Sequence, residues 1–190
     1  MTVLTDAYVL RKSQRGDFDR QYVLFTKDLG KITVLAKGAM KISSKLAPHL
    51  DFFYLTEVMV AQGQAFYRLA GAKIKTAHLK DCADPLKYNI ACFLLETADC
   101  LMVEKNPDAM IFKILEDFFC ALSAAKTSRE SHLILNRSLY ELLARLGYQP
   151  ELKAKNQIQL TCDLHRQIME AGEKEVKSFG CLHRELICVG

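Results

Sequence analysis

Nine cations fall within thirty-five residues near the start of the chain: Arg11, Lys12, Arg15, Arg20, Lys27, Lys31, Lys37, Lys41 and Lys45. Only Asp17, Asp19 and Asp28 oppose them there. Cations at this density suit a chain of phosphates, because each phosphate neutralised releases a condensed counterion. We expect Arg11, Lys12, Arg15, Arg20, Lys31, Lys37, Lys41 and Lys45 to contact nucleic acid, with little selectivity for base sequence. A solvated basic surface with no ligand is the plainer alternative. Tyr22, Phe25, Phe52, Phe53 and Tyr54 would stack bases if they faced outward. Their alternation is that of buried strand residues, so we expect most of them in a core.

Other chemistry is harder to find. The sequence holds no Gly-x-Ser-x-Gly, no phosphate loop, no His-Glu-x-x-His and no dinucleotide fingerprint. Asp17 and Asp19 resemble a carboxylate pair, yet turn aspartates commonly bond backbone instead. We therefore expect no catalytic residue and no cofactor. Cys162, His165, Cys181, His183 and Cys188 are ligand types that zinc accepts. Their spacing is not that of a zinc ribbon or finger, and the expectation is thiols without metal. The seven cysteines include no Cys-x-x-Cys pair. Cys92, Cys100 and Cys120 lie among apolar helix residues and read as buried free thiols of a reducing cytosol.

The basic residues need a scaffold, and the first eighty residues read as five short strands. Val3 to Leu10 is the first, followed by a basic loop from Arg11 to Arg20 with turn chemistry around Gly16. Gln21–Thr26 and Lys31–Ala36 form a hairpin across Lys27-Asp28-Leu29-Gly30, where Gly30 is free to take positive φ. Met40 to Leu50 is irregular, with at most a short helical turn near Pro48. Asp51–Ala61 and Ala65–Thr76 are the last two strands. Five strands with a longer link between the third and fourth predict a small Greek-key barrel of the OB type; an SH3-like barrel also has five.

The pattern changes near Lys80 to Asp84. Asp84-Pro85 starts a helix that runs to Glu104, with Ile90, Phe93, Leu94, Thr97 and Leu101 at helical spacing. Asn106-Pro107 repeats the signal before a helix over Met110–Ala125. Thr127 or Ser128 caps a third, Arg129–Leu146, with Leu133, Leu139, Leu142, Leu143 and Leu146 inward and Gly147 as its αL cap. Cys162–Ala171 is a short fourth helix ended by Gly172. The fold class is α+β: an N-terminal five-stranded OB-type barrel over 1–80, then an α-helical domain over 81–190.

Charge divides the same way. Residues 1–80 carry thirteen Lys and Arg against six Asp and Glu, a net of +7, and the remainder carries a net of −3. That asymmetry points to a polyanion-binding module joined to something with another task. Half the residues are apolar, enough for a packed core. Met1 to Lys12 lacks a signal-peptide pattern, and no apolar run approaches the roughly 20 residues of a membrane span. A soluble, cytoplasmic protein is expected.

The residues also resemble a family. Tyr8-Val9-Leu10-Arg11, the Gly16-Asp17-x-Asp19-Arg20 turn, Leu24-Phe25-Thr26, Leu29-Gly30-Lys31, Ala36-Lys37-Gly38-Ala39 and Ser44-Lys45-Leu46 form one ordered series. Leu142 to Leu152, with Gly147-Tyr148-Gln149-Pro150, follows later. Together they resemble the RecO family of bacterial recombination mediators and DNA-repair proteins. The resemblance implies an OB fold followed by helices, binding of single- and double-stranded DNA, and annealing of complementary strands. It also implies work with RecR to place RecA on DNA coated by single-stranded-DNA-binding protein (SSB). Many members carry four zinc-binding cysteines after the Gly-Tyr-x-Pro segment. Near Lys155 this chain has Lys-Ala-Lys-Asn, and no Cys-x-x-Cys follows, so the resemblance carries no zinc site here.

In that family a groove in the helical domain receives the acidic, Phe-ended tail of SSB, which calls for an apolar slot rimmed by cations. Arg129, Arg137 and Arg145 recur every eight residues along one helix and are the expected rim, on one face. The competing readings are an adaptor whose barrel docks a protein rather than DNA, and a zinc- or thiol-dependent enzyme using the C-terminal Cys and His residues.

Overall fold

The computed structural model describes residues 2–41, 44, 46–63, 66–80, 83–149, 156–172, 176–180 and 182. They form two compact units. The first joins Met1–Lys80 with Met102–Phe112, and the second joins Asp81–Leu101 with Lys113–Gly190. A single cut near residue 80 therefore misses a segment that returns to the first unit.

The first unit is built on β1 (Thr2–Arg15), β2 (Asp19–Thr26), β3 (Gly30–Ala36), β4 (Tyr54–Ala61) and β5 (Tyr67–Ala77). They close into a barrel in the order β1-β2-β3-β5-β4, with only β3 and β5 parallel. This is the OB arrangement, and one 3-10 turn at Ala47–His49 stands between β3 and β4. Inward residues alternate along each strand: Val9 on β1, Tyr22 and Leu24 on β2, Ile32, Val34 and Ala36 on β3, Val58 and Val60 on β4. Tyr22 is buried inside the barrel, whereas Phe25, of opposite parity on β2, is buried under Phe112, and Phe53 is buried as well. Phe52 and Tyr54 are half-buried.

Two features differ from the sequence reading. β1 runs on to Arg15, so Arg11, Lys12 and Arg15 lie on a strand and not in a loop. The β1–β2 connection is a tight turn at Gly16–Phe18. A bulge between Val9 and Arg11 shifts the β1 register on β2. Unbroken alternation from Ala7 and Val9 would have turned Arg11 inward. The bulge turns it outward instead and gives Lys12 the phase of the core residue Tyr22.

The second difference is the closure of β3. Among the described residues, β5 pairs with β3 at Val34 and Leu35. Further down, Lys31 bridges in parallel to Glu104, and Lys105 N donates to Lys31 O at 2.8 Å. Met102–Phe112 thus covers a strand edge that would otherwise expose unpaired backbone groups. Phe112 packs its ring against Tyr8 and Phe25, at centroid distances of 5.5 and 6.2 Å. Gly30, at φ +68°, lets Asn106 and Pro107 approach: a Cβ there would lie 2.4 Å from Asn106 C and O.

The second unit is helical: α1 (Pro85–Leu101), the body of α2 (Ala109–Ala124), α3 (Ser128–Arg145) and α4 (Gln157–Ala171). Asp84 caps α1, its Oδ1 accepting from Leu86 N at 3.0 Å. α1 ends at Leu101 and not Glu104, because the following residues join the barrel unit. Asp108, not Asn106, caps α2 by accepting from Met110 N and Ile111 N. Thr127 and Glu130 form a capping box on α3. Gly147, at φ +90°, closes it in a Schellman motif, with Tyr148 N donating to Leu143 O and Gly147 N to Ala144 O.

Leu135, Leu139, Leu142 and Leu143 of α3 are buried. Leu133, expected inward, is exposed, because two residues turn a helix by about 200° and set it opposite Leu135. Asn136 ties α3 to α4, donating to Gln157 O and accepting from Thr161 Oγ1. Cys120 is exposed and Cys92 and Cys100 are half-buried, so none of the three is the fully buried thiol expected. No described helix is long and apolar enough to cross a membrane.

Candidate nucleic-acid interface

Strand pairing sets which cations share a face. Ser13 pairs with Gln21, Gln21 with Leu35, and Leu35 with Arg68, a row crossing β1, β2, β3 and β5 on the outer surface. Arg11 stands one step along the same face and Arg15 one step the other way, and Arg11, Arg15 and Arg68 are all exposed. Arg15 donates to Gln21 at 3.3 Å and lies over the Phe66 ring at 4.6 Å. That contact joins the end of β1 to the β4–β5 connection. In OB folds the β2–β3 face and the β1–β2 and β4–β5 connections are the oligonucleotide-binding elements.

A second group stands on two interlocked turns. Met40 N donates to Phe18 O at 2.9 Å, and Gly38 N donates to Asp19 Oδ1 at 2.7 Å. The turn after β3 is thereby fixed to the β1–β2 turn, and it carries Lys37 and Lys41, both exposed. Asp19 is a structural acceptor, which explains a carboxylate within a basic rim. Lys41 Nζ lies 5.5 Å from the Phe18 ring centroid.

Lys12 and Arg20 point the other way, toward the mouth of the barrel. Lys12 Nζ is salt-bridged to Asp51 and sits 4.3 Å from the Phe52 ring. Burial alone would raise the Asp51 carboxyl. The Lys12 ammonium, the Phe52 N–H and the Arg20 charge outweigh it and hold Asp51 below its ordinary value. Burial likewise pushes the Tyr22 phenol up, against the opposing charge of Arg20. Lys12 is therefore an internally paired cation.

Lys31 does not belong to the surface. It is 6 % exposed, and its Nζ donates to Met102 O at 3.2 Å. This corrects its place among the phosphate contacts, and the cause is the returning segment 102–112. Lys45 lies outside the described residues. The sequence reading also missed Arg68, at the start of the fifth strand, and the turn aromatic Phe18, which is 56 % exposed. Phe18 had a signal of its own, an aromatic between two turn aspartates.

In the helical unit, Arg129, Arg137 and Arg145 are exposed on α3. Eight residues advance a helix by about 80°, so Arg129 and Arg145 stand about 160° apart and do not share one face. Arg137 alone among them lines the groove between α2 and α3, with Ile114, Phe118, Ala121 and Ile134. Asp117 and Glu141 also line it, and Arg137 Nε donates to Glu141 at 2.8 Å. Of the Cys and His set weighed for zinc, Cys162 and His165 lie on α4. Burial and the neighbouring Asp163 raise the Cys162 thiol, and His165 is stacked on Phe179 at 3.6 Å. Cys181, His183 and Cys188 lie outside the described residues.

A closed OB-type barrel with cations on its β1–β2–β3 surface, continued into helices, defines an α+β protein of the OB class. The family models for the recombination protein O N-terminal and C-terminal regions match residues 1–78 and 82–167. The chain belongs to the RecO family. A protein of Dehalococcoides mccartyi (strain 195) called "DNA repair protein RecO" is 30% identical over 149 residues, 78% of this chain and 58% of its own length. Proteins of the same name from Thermoanaerobacter sp. and Bifidobacterium adolescentis are 28% and 30% identical, over 78% of this chain and 59% and 60% of theirs. The chain thus spans about three fifths of these relatives.

Proposed function

We propose that this chain is a non-enzymatic DNA-binding mediator of DNA repair and recombination, holding single- and double-stranded DNA on the outer face of its barrel. The observation that carries this reading is the exposure of Arg11 and Arg15 on β1 and of Lys37 and Lys41 on the turn after β3, which is hydrogen-bonded to the β1–β2 turn beside the OB binding face. Arg20 at the mouth and Arg68 at the β5 end of the row extend the same field. The relatives' name, DNA repair protein RecO, supports the process. The barrel screens the repulsion between two strands and holds them at high local concentration, so pairing is faster without nucleotide hydrolysis. In the cell this activity works with RecR, receives the tail of SSB and helps RecA onto SSB-coated DNA. The α2–α3 groove with Arg137 at its edge is the segment we assign to that tail.

The test is fluorescence anisotropy of a labelled single-stranded oligonucleotide, titrated at several salt concentrations. Binding should weaken steeply with salt, with a log–log slope of about −0.7 per phosphate contacted. Lys37→Glu with Lys41→Glu should weaken binding to all sequences alike. No binding at low salt would sink the proposal and leave the barrel as a protein-docking module.

A further inference from the structure

Phe18 is an apolar ring that the fold presents to solvent and does not bury. It sits at the tip of the β1–β2 turn, 56 % exposed, while Tyr22 and Phe25 of the next strand are almost wholly covered. Its backbone is fixed by the hydrogen bond from Met40 N, and its neighbour Asp19 by that from Gly38 N. Lys41 Nζ, 5.5 Å from the ring centroid, occupies one side. A ring on a backbone-anchored turn, with a cation over one face and the rest exposed, matches the two needs of an unpaired nucleotide: a flat surface for the base and a positive charge for its phosphate. In a duplex the bases are stacked on one another and their faces are not available to such a ring.

We propose that Phe18 is a stacking platform for an unpaired base, with Lys41, and Lys37 on the same turn, taking the adjacent phosphates. The site therefore favours single strands over duplex, through Phe18 and not through charge. Asp17, exposed on the same turn, limits how many phosphates can approach from that side. This inference rests on the DNA-binding reading above and adds to it the element that tells one strand from two.

The chain has no tryptophan, so Phe18→Trp places a single indole at the tip. Its emission should be quenched when oligothymidylate of about 16 nucleotides, the upper end of an OB-fold site, saturates the protein. Phe18→Ala should lower affinity for that oligonucleotide about tenfold, the order expected of one base–aromatic stack. Its salt slope and its affinity for a duplex of equal length should stay at the parent values. Unquenched indole emission at saturation overturns the proposal. So does an alanine variant that binds the single strand as the parent does, or that loses single strand and duplex equally. A parent chain that binds neither would refute the DNA-binding reading itself, and the platform with it.

Discussion

Lys31 separates a cation that holds the fold from cations that meet phosphate. By sequence it is one of nine in a basic stretch; in the structure it is buried, with its Nζ on Met102 O. Lys31→Ala removes about three buried methylenes, worth roughly 0.8 kcal/mol each. It also removes a charge-assisted hydrogen bond, with a net worth of about 1.5–3 kcal/mol. The expected loss is about 4 kcal/mol, a large part of the 5–15 kcal/mol or so that keeps a typical domain folded. Urea denaturation followed by circular dichroism reads this directly. Anisotropy on single-stranded DNA, under conditions where the variant is folded, reads the other half: the salt slope should stay at the parent value. Lys37→Ala makes the contrast, with near-parental stability and a slope shallower by about 0.7. A Lys31→Ala variant that loses less than about 1 kcal/mol while its slope flattens by about 0.7 would refute the reasoning. Lys31 would then be a phosphate ligand.

Two further substitutions probe the same unit. Gly30→Ala places a Cβ 2.4 Å from Asn106 backbone at φ +68°, so strain and overpacking together should cost about 3 kcal/mol in chemical denaturation; a cost under about 1 kcal/mol would mean that Asn106 does not press on the hairpin. Asp51→Asn should release Lys12, tightening single-strand binding and steepening its salt slope by about 0.7, and an unchanged slope would show that Lys12 does not reach phosphate. The Asp51 carboxyl lies below its ordinary value of 3.8 in the folded chain, so its stabilisation is present above that pH and is lost as the pH falls below it. Its side chain is 59% exposed, so Asp51→Asn should cost no more than about 1 kcal/mol at neutral pH, with parent and variant converging in acid.

Local order was legible wherever the signal is local. Short apolar runs between turn signals placed β2 and β3, because a strand buried on both faces reads as an unbroken apolar stretch. Asp84-Pro85, Thr127 and Gly147 marked helix ends because caps satisfy backbone groups within three or four residues. The five-strand count gave the OB barrel, and the basic density gave the polyanion field. What the chain could not disclose is which of those cations face outward. A single bulge after Val9 reverses the phase of Arg11 and Lys12, and bulges have no composition of their own here. Burial of Lys31 depends on a segment some seventy residues later, and pairing of Lys12 depends on Asp51. The sequence by itself determined that this protein carries a small barrel, a helical region and an excess of positive charge near its start. Only the tertiary structure decided where each charge points, because facing is set by strand register and by contacts between residues far apart in the chain, and neither is written in local composition.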